Sequence, residues 1–224
     1  RGTGALQFAP GQYRFPLRVV GTGQALSASA AANVGLDHAQ GEYLIFLDDD
    51  DWFLPSNIAG LMDALVANTQ RRVAYGAVAC LRRVEKGAWE SSHIFNQAFD
   101  STRLLIENYI PMHAALFHRS LLALGCRIDE SLTIYEDLDF WIQLAQHTDF
   151  AFVNRVGGIY RIGQSSGFGL AGQPAVVERG LQALFTKWRP RWSMAQVIAL
   201  ADYAKHHSMY HEVRALLDVR AQEL

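Results

Sequence analysis

The chain has 224 residues, 50% of them apolar, and a formal net charge of -2. That length supports one domain with a large core, with or without a small appendage, and the apolar content excludes a disordered chain. The charge argues against a broad nucleic-acid surface, two cysteines without CxxC spacing (Cys80, Cys126) point to a reducing compartment, and no apolar run approaches the roughly 20 residues of a membrane span.

Residues 1–16, rich in Gly, Pro and Gln, read as loop. Residues 17–20 are expected to form a short strand and residues 25–38 an Ala-rich helix. Residues 43–47 (Tyr-Leu-Ile-Phe-Leu) are continuously apolar and predict a strand buried on both faces. Four aspartates, Asp48, Asp49, Asp50 and Asp51, follow it directly. Pro55 suits the first position of a helix, and Ile58, Leu61, Met62, Leu65 and Val66 then recur at helical spacing. Residues 73–81 predict a strand, 82–94 a polar excursion with a turn, and 114–117 another strand before a short helix through Leu124. Residues 137–146 read as an amphipathic helix with Leu138, Trp141, Ile142 and Ala145 on one face. Two strands at 150–153 and 158–162 precede a Gly/Ser-rich loop at 163–172. From Pro174 the pattern is helical, in three segments broken near Pro190 and Ser208. The alternation of strands and helices points to an α/β domain with a mostly parallel sheet over residues 1–172 and a helical appendage over 173–224.

The chemistry concentrates in two acidic segments. Four adjacent carboxylates at a strand end repel at a cost on the order of a kcal/mol per pair, which a bound cation would remove. Ligands of open parallel sheets sit at the carboxyl ends of strands. Along an extended chain Asp48 and Asp50 face one way, Asp49 and Asp51 the other. Hard oxygen donors favour magnesium or manganese. The bland alternative is a solvated acidic turn. Glu136 and Asp137 open the helix that ends near His147. Acids in a first turn stabilise the helix dipole, while a rigidly held Asp137 would suit a general base. His207 and His211 have i, i+4 spacing but no third ligand, and His113 reads as a packed residue or as a wall of the acceptor side. Leu181, Leu184, Trp188 and Trp192 read as packing positions.

The run from Asn33 to Trp52 (Asn-Val-Gly-Leu-Asp-His-Ala-Gln-Gly-Glu-Tyr-Leu-Ile-Phe-Leu-Asp-Asp-Asp-Asp-Trp) resembles the central signature of family 2 glycosyltransferases, which have the GT-A fold. Asp129-Glu130-Ser131-Leu132, Glu136-Asp137-Leu138-Asp139-Phe140-Trp141 and Tyr160-Arg161 match that family in order and approximate spacing. The resemblance covers about residues 17–166. It implies inverting transfer of a sugar from a nucleotide-diphosphate donor, of UDP type, to a hydroxyl of a glycan or lipid-linked acceptor. It implies Asp50 as metal ligand, Asp48 on the metal or the ribose, Asn33 and Arg161 on the nucleotide diphosphate, Asp137 as base and Glu136 on the acceptor side. Trp52 and Trp141 read as core or pocket wall, and in a sugar enzyme either becomes a candidate for stacking on a ring. Magnesium or manganese is the implied ion. Work on a bacterial-type surface glycan in the cytoplasm, with peripheral association at the inner face of the membrane, is the implied setting. Three departures stand out. The family's first strand and nucleotide-base aspartates have no counterpart in residues 1–16, so the region is expected to be incomplete. Ala32 replaces a common Arg, and Gly163 stands where a His is common. A degenerate carbohydrate- or sugar-nucleotide-binding domain and a metal-dependent nucleotidyl- or phosphoryltransferase are the competing readings.

Overall fold

The structure, a computed structural model, describes residues 14–21, 23–84, 87–162 and 173–206. In chain order the elements are α1 (Ala28–His38), β1 (Tyr43–Ile45), β2 (Trp52–Phe53), α2 (Asn57–Ala67), β3 (Val73–Arg83), β4 (Trp89–Phe95), β5 (Ala115–His118), α3 (Glu136–Ala145), β6 (Phe150–Ile162), α4 (Pro174–Trp188) and α5 (Met194–His206). Helix α1 starts three residues later than its composition implied. Ser27 sets that start, because its hydroxyl accepts from the Ala30 N–H at 3.1 Å as an N-cap.

The sheet runs β1-β5-β3-β6-β2, with β4 also paired to β3. β3 is the central strand: its first half pairs β5, its second half pairs β4, and β6 runs along its other edge. Its residues Val73 to Val78 are buried throughout, as a strand covered on both faces must be. Alternate residues enter two cores. Val73, Tyr75 and Phe117 face α3 and α4, while Ala74, Leu116 and Ala151 face Leu61 and Leu65 of α2. The result is an α/β layer structure, with a sheet between helices.

Several expectations are corrected. The sheet is mixed, not mostly parallel: β3 and β6 form its parallel pair among the described residues, and the other pairs are antiparallel. Hairpin connections such as β3–β4 cannot be parallel. The apolar run at 43–47 forms strand only to Ile45, at the sheet edge. Leu44 packs into the larger core, and Tyr43 and Ile45 rest against the smaller one, but Leu47 is half exposed. Residues 17–20 form no strand. Leu17, Val19 and Val20 are exposed and pair with nothing in the sheet, which is what a β-prone segment needs in order to become one. The two strands expected at 150–162 are one strand with register shifts opposite Gly76 to Val78. Helix α4 sends Leu184, Phe185 and Trp188 into the core that holds α3.

Candidate active site

After β1 the chain turns through the aspartates, with the Asp51 N–H reaching the Asp48 carbonyl at 3.3 Å. It then pairs with β6 through Trp52 and Phe53. This pairing decides the fate of Asp51. Its carboxylate is fully buried; Oδ1 accepts from the Arg161 backbone N–H at 2.8 Å, and Oδ2 lies 3.0 Å from Nδ1 of His113. That His–Asp contact is close enough for an ion pair but off hydrogen-bond alignment, so Asp51 Oδ2 lacks a hydrogen-bond partner among the described residues, and the other ring nitrogen, His113 Nε2, also has none. Asp50 faces outward, with Oδ2 3.5 Å from the Arg161 guanidinium and about two-fifths of each side chain exposed. Asp48 and Asp49 are exposed.

The second half of the site comes from the start of α3. Tyr135 adopts a left-handed backbone (φ 67°), a strained conformation for an aromatic residue. Helix α4 sits against this turn at Gly180, where a Cβ would lie 2.4 Å from Ile134 and 3.0 Å from the Tyr135 ring. The turn presents Glu136 and Asp137. Asp137 Oδ1 accepts from the Leu138 N–H and from Asn108 Nδ2, both at 2.8 Å. Burial nonetheless raises the Asp137 pKa, and the charge of Asp48 adds to the rise. Burial, followed by the charges of Asp137 and Asp48, pushes Glu136 up to about 7. Asp48 is raised in turn: although the residue is exposed overall, neighbouring atoms take part of the water from its carboxylate, and Asp51, Asp50 and Asp49 add to the rise, with His113 opposing.

So the fold brings Asp48, Glu136 and Asp137 within electrostatic reach of one another, and Asp50 to Arg161. Asn33 is engaged elsewhere: its amide donates to the Ile128 carbonyl (2.9 Å) and Glu130 (2.8 Å) and accepts from the Ile128 N–H (3.2 Å), which ties α1 to the segment before α3. Trp141 is core and Trp52 is partly exposed. Gly163, His207 and His211 lie outside the described residues. Asn108 carries no signal of its own in the sequence, whereas His113 is packed, as its sequence context indicates.

The described residues hold no preformed group of three or more His, Cys, Asp or Glu side chains suited to a metal ion. The uncompensated charge around Asp48 does fit a divalent cation, whose other ligands a diphosphate and water would supply.

A Glycosyl transferase family 2 model matches residues 5–125. A Haemophilus influenzae protein described as an uncharacterized glycosyltransferase is 29% identical over 141 residues, covering 62% of this chain and 47% of its own. Among solved structures, the mannosyltransferase PcManGT from Pyrobaculum calidifontis, in complex with GDP-Man and Mn2+, superposes with a TM-score of 0.54 at 17% identity, over 89% of this chain and 55% of that one. Residues 1–349 of S. aureus TarS in complex with UDP give 0.53 at 14% identity, over 80% and 51%. The chain thus spans about half the length of these relatives. The likeness to the solved structures carries the fold. The family match, which takes in more than half of the residues, carries the membership: this chain belongs to glycosyl transferase family 2.

Proposed function

We infer that the protein transfers a sugar from a nucleotide-diphosphate donor, of UDP type, to a hydroxyl of a glycan or lipid-linked acceptor, with inversion at the anomeric carbon. The observation that carries this reading is the convergence of Asp48 with Glu136 and Asp137, which lie nearly ninety residues further along the chain. In the reaction the acceptor oxygen forms a bond to the anomeric carbon as the bond from that carbon to the diphosphate oxygen breaks. The hydroxyl proton passes to Asp137. A raised carboxylate pKa makes Asp137 a stronger base once it is ionised. Glu136, its pKa pushed up by burial and by the charges of Asp137 and Asp48, can hold a proton and so donate as well as accept a hydrogen bond on the acceptor side. Asp50 and Asp48 would hold a magnesium or manganese ion, which supplies positive charge to the departing diphosphate. Arg161, loosely paired to Asp50, would add its guanidinium to that charge. The family membership and the solved structures with UDP and GDP-Man support the donor class. Location at the inner face of a membrane remains part of this proposal; no described helix is long and apolar enough to cross one.

The test is nucleoside diphosphate release from UDP-N-acetylglucosamine and GDP-mannose, with and without Mn2+. Asp137→Asn should lower turnover by about 100-fold or more while nucleotide binding persists. Binding without turnover in the wild type would favour a non-catalytic domain, and pyrophosphate release from a nucleoside triphosphate would favour a nucleotidyltransferase.

A further inference from the structure

The residues that touch the two acidic halves of the site from a third direction lie on one short segment. Asn108 bonds the Asp137 carboxylate at 2.8 Å, and five residues later His113 stands 3.0 Å from the Asp51 carboxylate. The segment between them is pinned. The Tyr109 hydroxyl donates to the Asp100 carbonyl and accepts from the Asp100 N–H, both at 3.0 Å. The Trp141 indole donates to the Ile110 carbonyl at 2.7 Å, so α3 itself grips the segment. Pro111 restricts Ile110 to extended backbone, and the Ala114 N–H closes a turn on the Pro111 carbonyl at 2.9 Å.

The His113 end is boxed in on every side. The ring is 1% exposed, stacks on Tyr160 with centroids 5.9 Å apart, and lies near Phe53. A Cβ at Gly158 would stand 2.9 Å from its Cδ2. Asp51, which it touches, is also bonded to the backbone of Arg161, the residue paired with Asp50. His113 therefore fixes the floor beneath the aspartate turn. Two buried polar atoms, Asn108 Oδ1 and His113 Nε2, have no hydrogen-bond partner among the described residues. Retaining such atoms costs stability, and an apolar side chain of similar size would avoid the cost. Stability alone therefore does not explain these residue types.

We propose that residues 108–113 form a two-ended bracket in which Asn108 positions Asp137 and His113, through Asp51, positions the aspartate turn. The bracket holds the base and the donor-binding acids at a fixed separation. Both are positioning residues, and the inference rests on the proposed transferase reading. It predicts a division of labour. Asn108 and the Leu138 N–H both bond Oδ1, so Asn108 holds the rotamer in which the Asp137 carboxylate meets the acceptor. Its loss should slow turnover and spare the donor. Loss of His113 should loosen the turn and weaken the donor.

Four proteins test this: wild type, Asn108→Ala, His113→Leu and His113→Asn, where asparagine keeps a donor near the Nδ1 position. Turnover and donor KM are read with UDP-N-acetylglucosamine and GDP-mannose, UDP binding in Mn2+ by calorimetry, and folding by thermal melting. Asn108→Ala should lower kcat about tenfold or more with KM and UDP affinity within about twofold. His113→Leu should weaken UDP affinity about tenfold, and His113→Asn should restore most of it. Equal losses in kcat and affinity for both variants, or His113→Asn no better than His113→Leu, would overturn the bracket. An active wild type with unaffected variants sinks this inference alone. A wild type that neither binds nor turns over either donor sinks the transferase reading and the bracket with it.

Discussion

Asp50 and Asp51 are neighbours in sequence and opposites in role. Asp50 is partly exposed and, among the described residues, held by a single 3.5 Å contact to Arg161, so its contribution to stability is under about 1 kcal/mol. Asp50→Asn should leave the melting temperature nearly unchanged and remove the Mn2+ dependence of UDP binding, as calorimetry would show. Asp51 is buried, bonded to the Arg161 N–H and set against His113. Asp51→Ala leaves that donor unsatisfied and opens a void, at a cost of about 2–4 kcal/mol, visible as a lower urea midpoint. Equal destabilisation by the two variants would contradict this assignment. The alternation of side chains along the chain was enough to divide the four aspartates into two pairs. It could not tell that Asp51 alone would bury while Asp49 stays exposed, because that depends on β2 pairing with a strand more than a hundred residues away.

At the scale of elements, the placement of the base depends on α4. Asp139, fully buried on α3, accepts from the Trp188 indole at 2.7 Å, from Gln143 at 2.7 Å and from Lys187 at 2.8 Å. Lys187 also pairs with Asp129 at 2.6 Å, which holds that carboxyl down at about 2. Removing one partner of a buried ion pair strands the other. Lys187→Met should therefore cost about 3 kcal/mol, and adding Asp139→Asn should recover part of the loss. Chemical denaturation of the single and double variants checks this; simple additivity would mean the pair is not coupled. The helices were legible in the sequence because each announces itself locally, through the alanine-rich run of α1, the spacing of Leu61 and Leu65, and the acidic first turn of α3. The dependence of α3 on α4 was not legible, because Gly180, Lys187 and Trp188 show their purpose only once the two helices are packed. The strands were read less well. β-structure is settled by pairing partners, and residues 17–20 lack one in the described sheet.

For the whole molecule, the two acidic segments were each visible in the sequence, but their meeting is a property of the tertiary fold; only the family resemblance anticipated it. Their meeting has a measurable consequence. Glu136 titrates from 4.5 in an unfolded chain and is pushed up to about 7 in the folded one, by burial first and then by Asp137 and Asp48. Between those values the folded state holds a proton that the unfolded state has released. Stability is therefore fully present below about pH 4.5 and is lost as pH rises toward 7, by at most about 3 kcal/mol for this group. Asp137 and Asp48 are raised as well and push in the same direction. Asp129 works oppositely: lowered to about 2, it stabilises above the ordinary 3.8 and loses that contribution in stronger acid. The metal-free protein should accordingly be most stable near pH 4–5 and weaken toward neutrality, unlike a protein whose carboxylates are all paired. Urea midpoints at pH 5 and pH 7.5 measure the slope. Glu136→Gln, which cannot ionise, should flatten much of it, and Mn2+ with UDP should restore stability at the higher pH by binding the charge that the fold leaves uncompensated. A metal-free protein whose stability rises from pH 5 to 7.5 would show that the three carboxylates do not share one field, and the convergence on which the proposed chemistry depends would go with it.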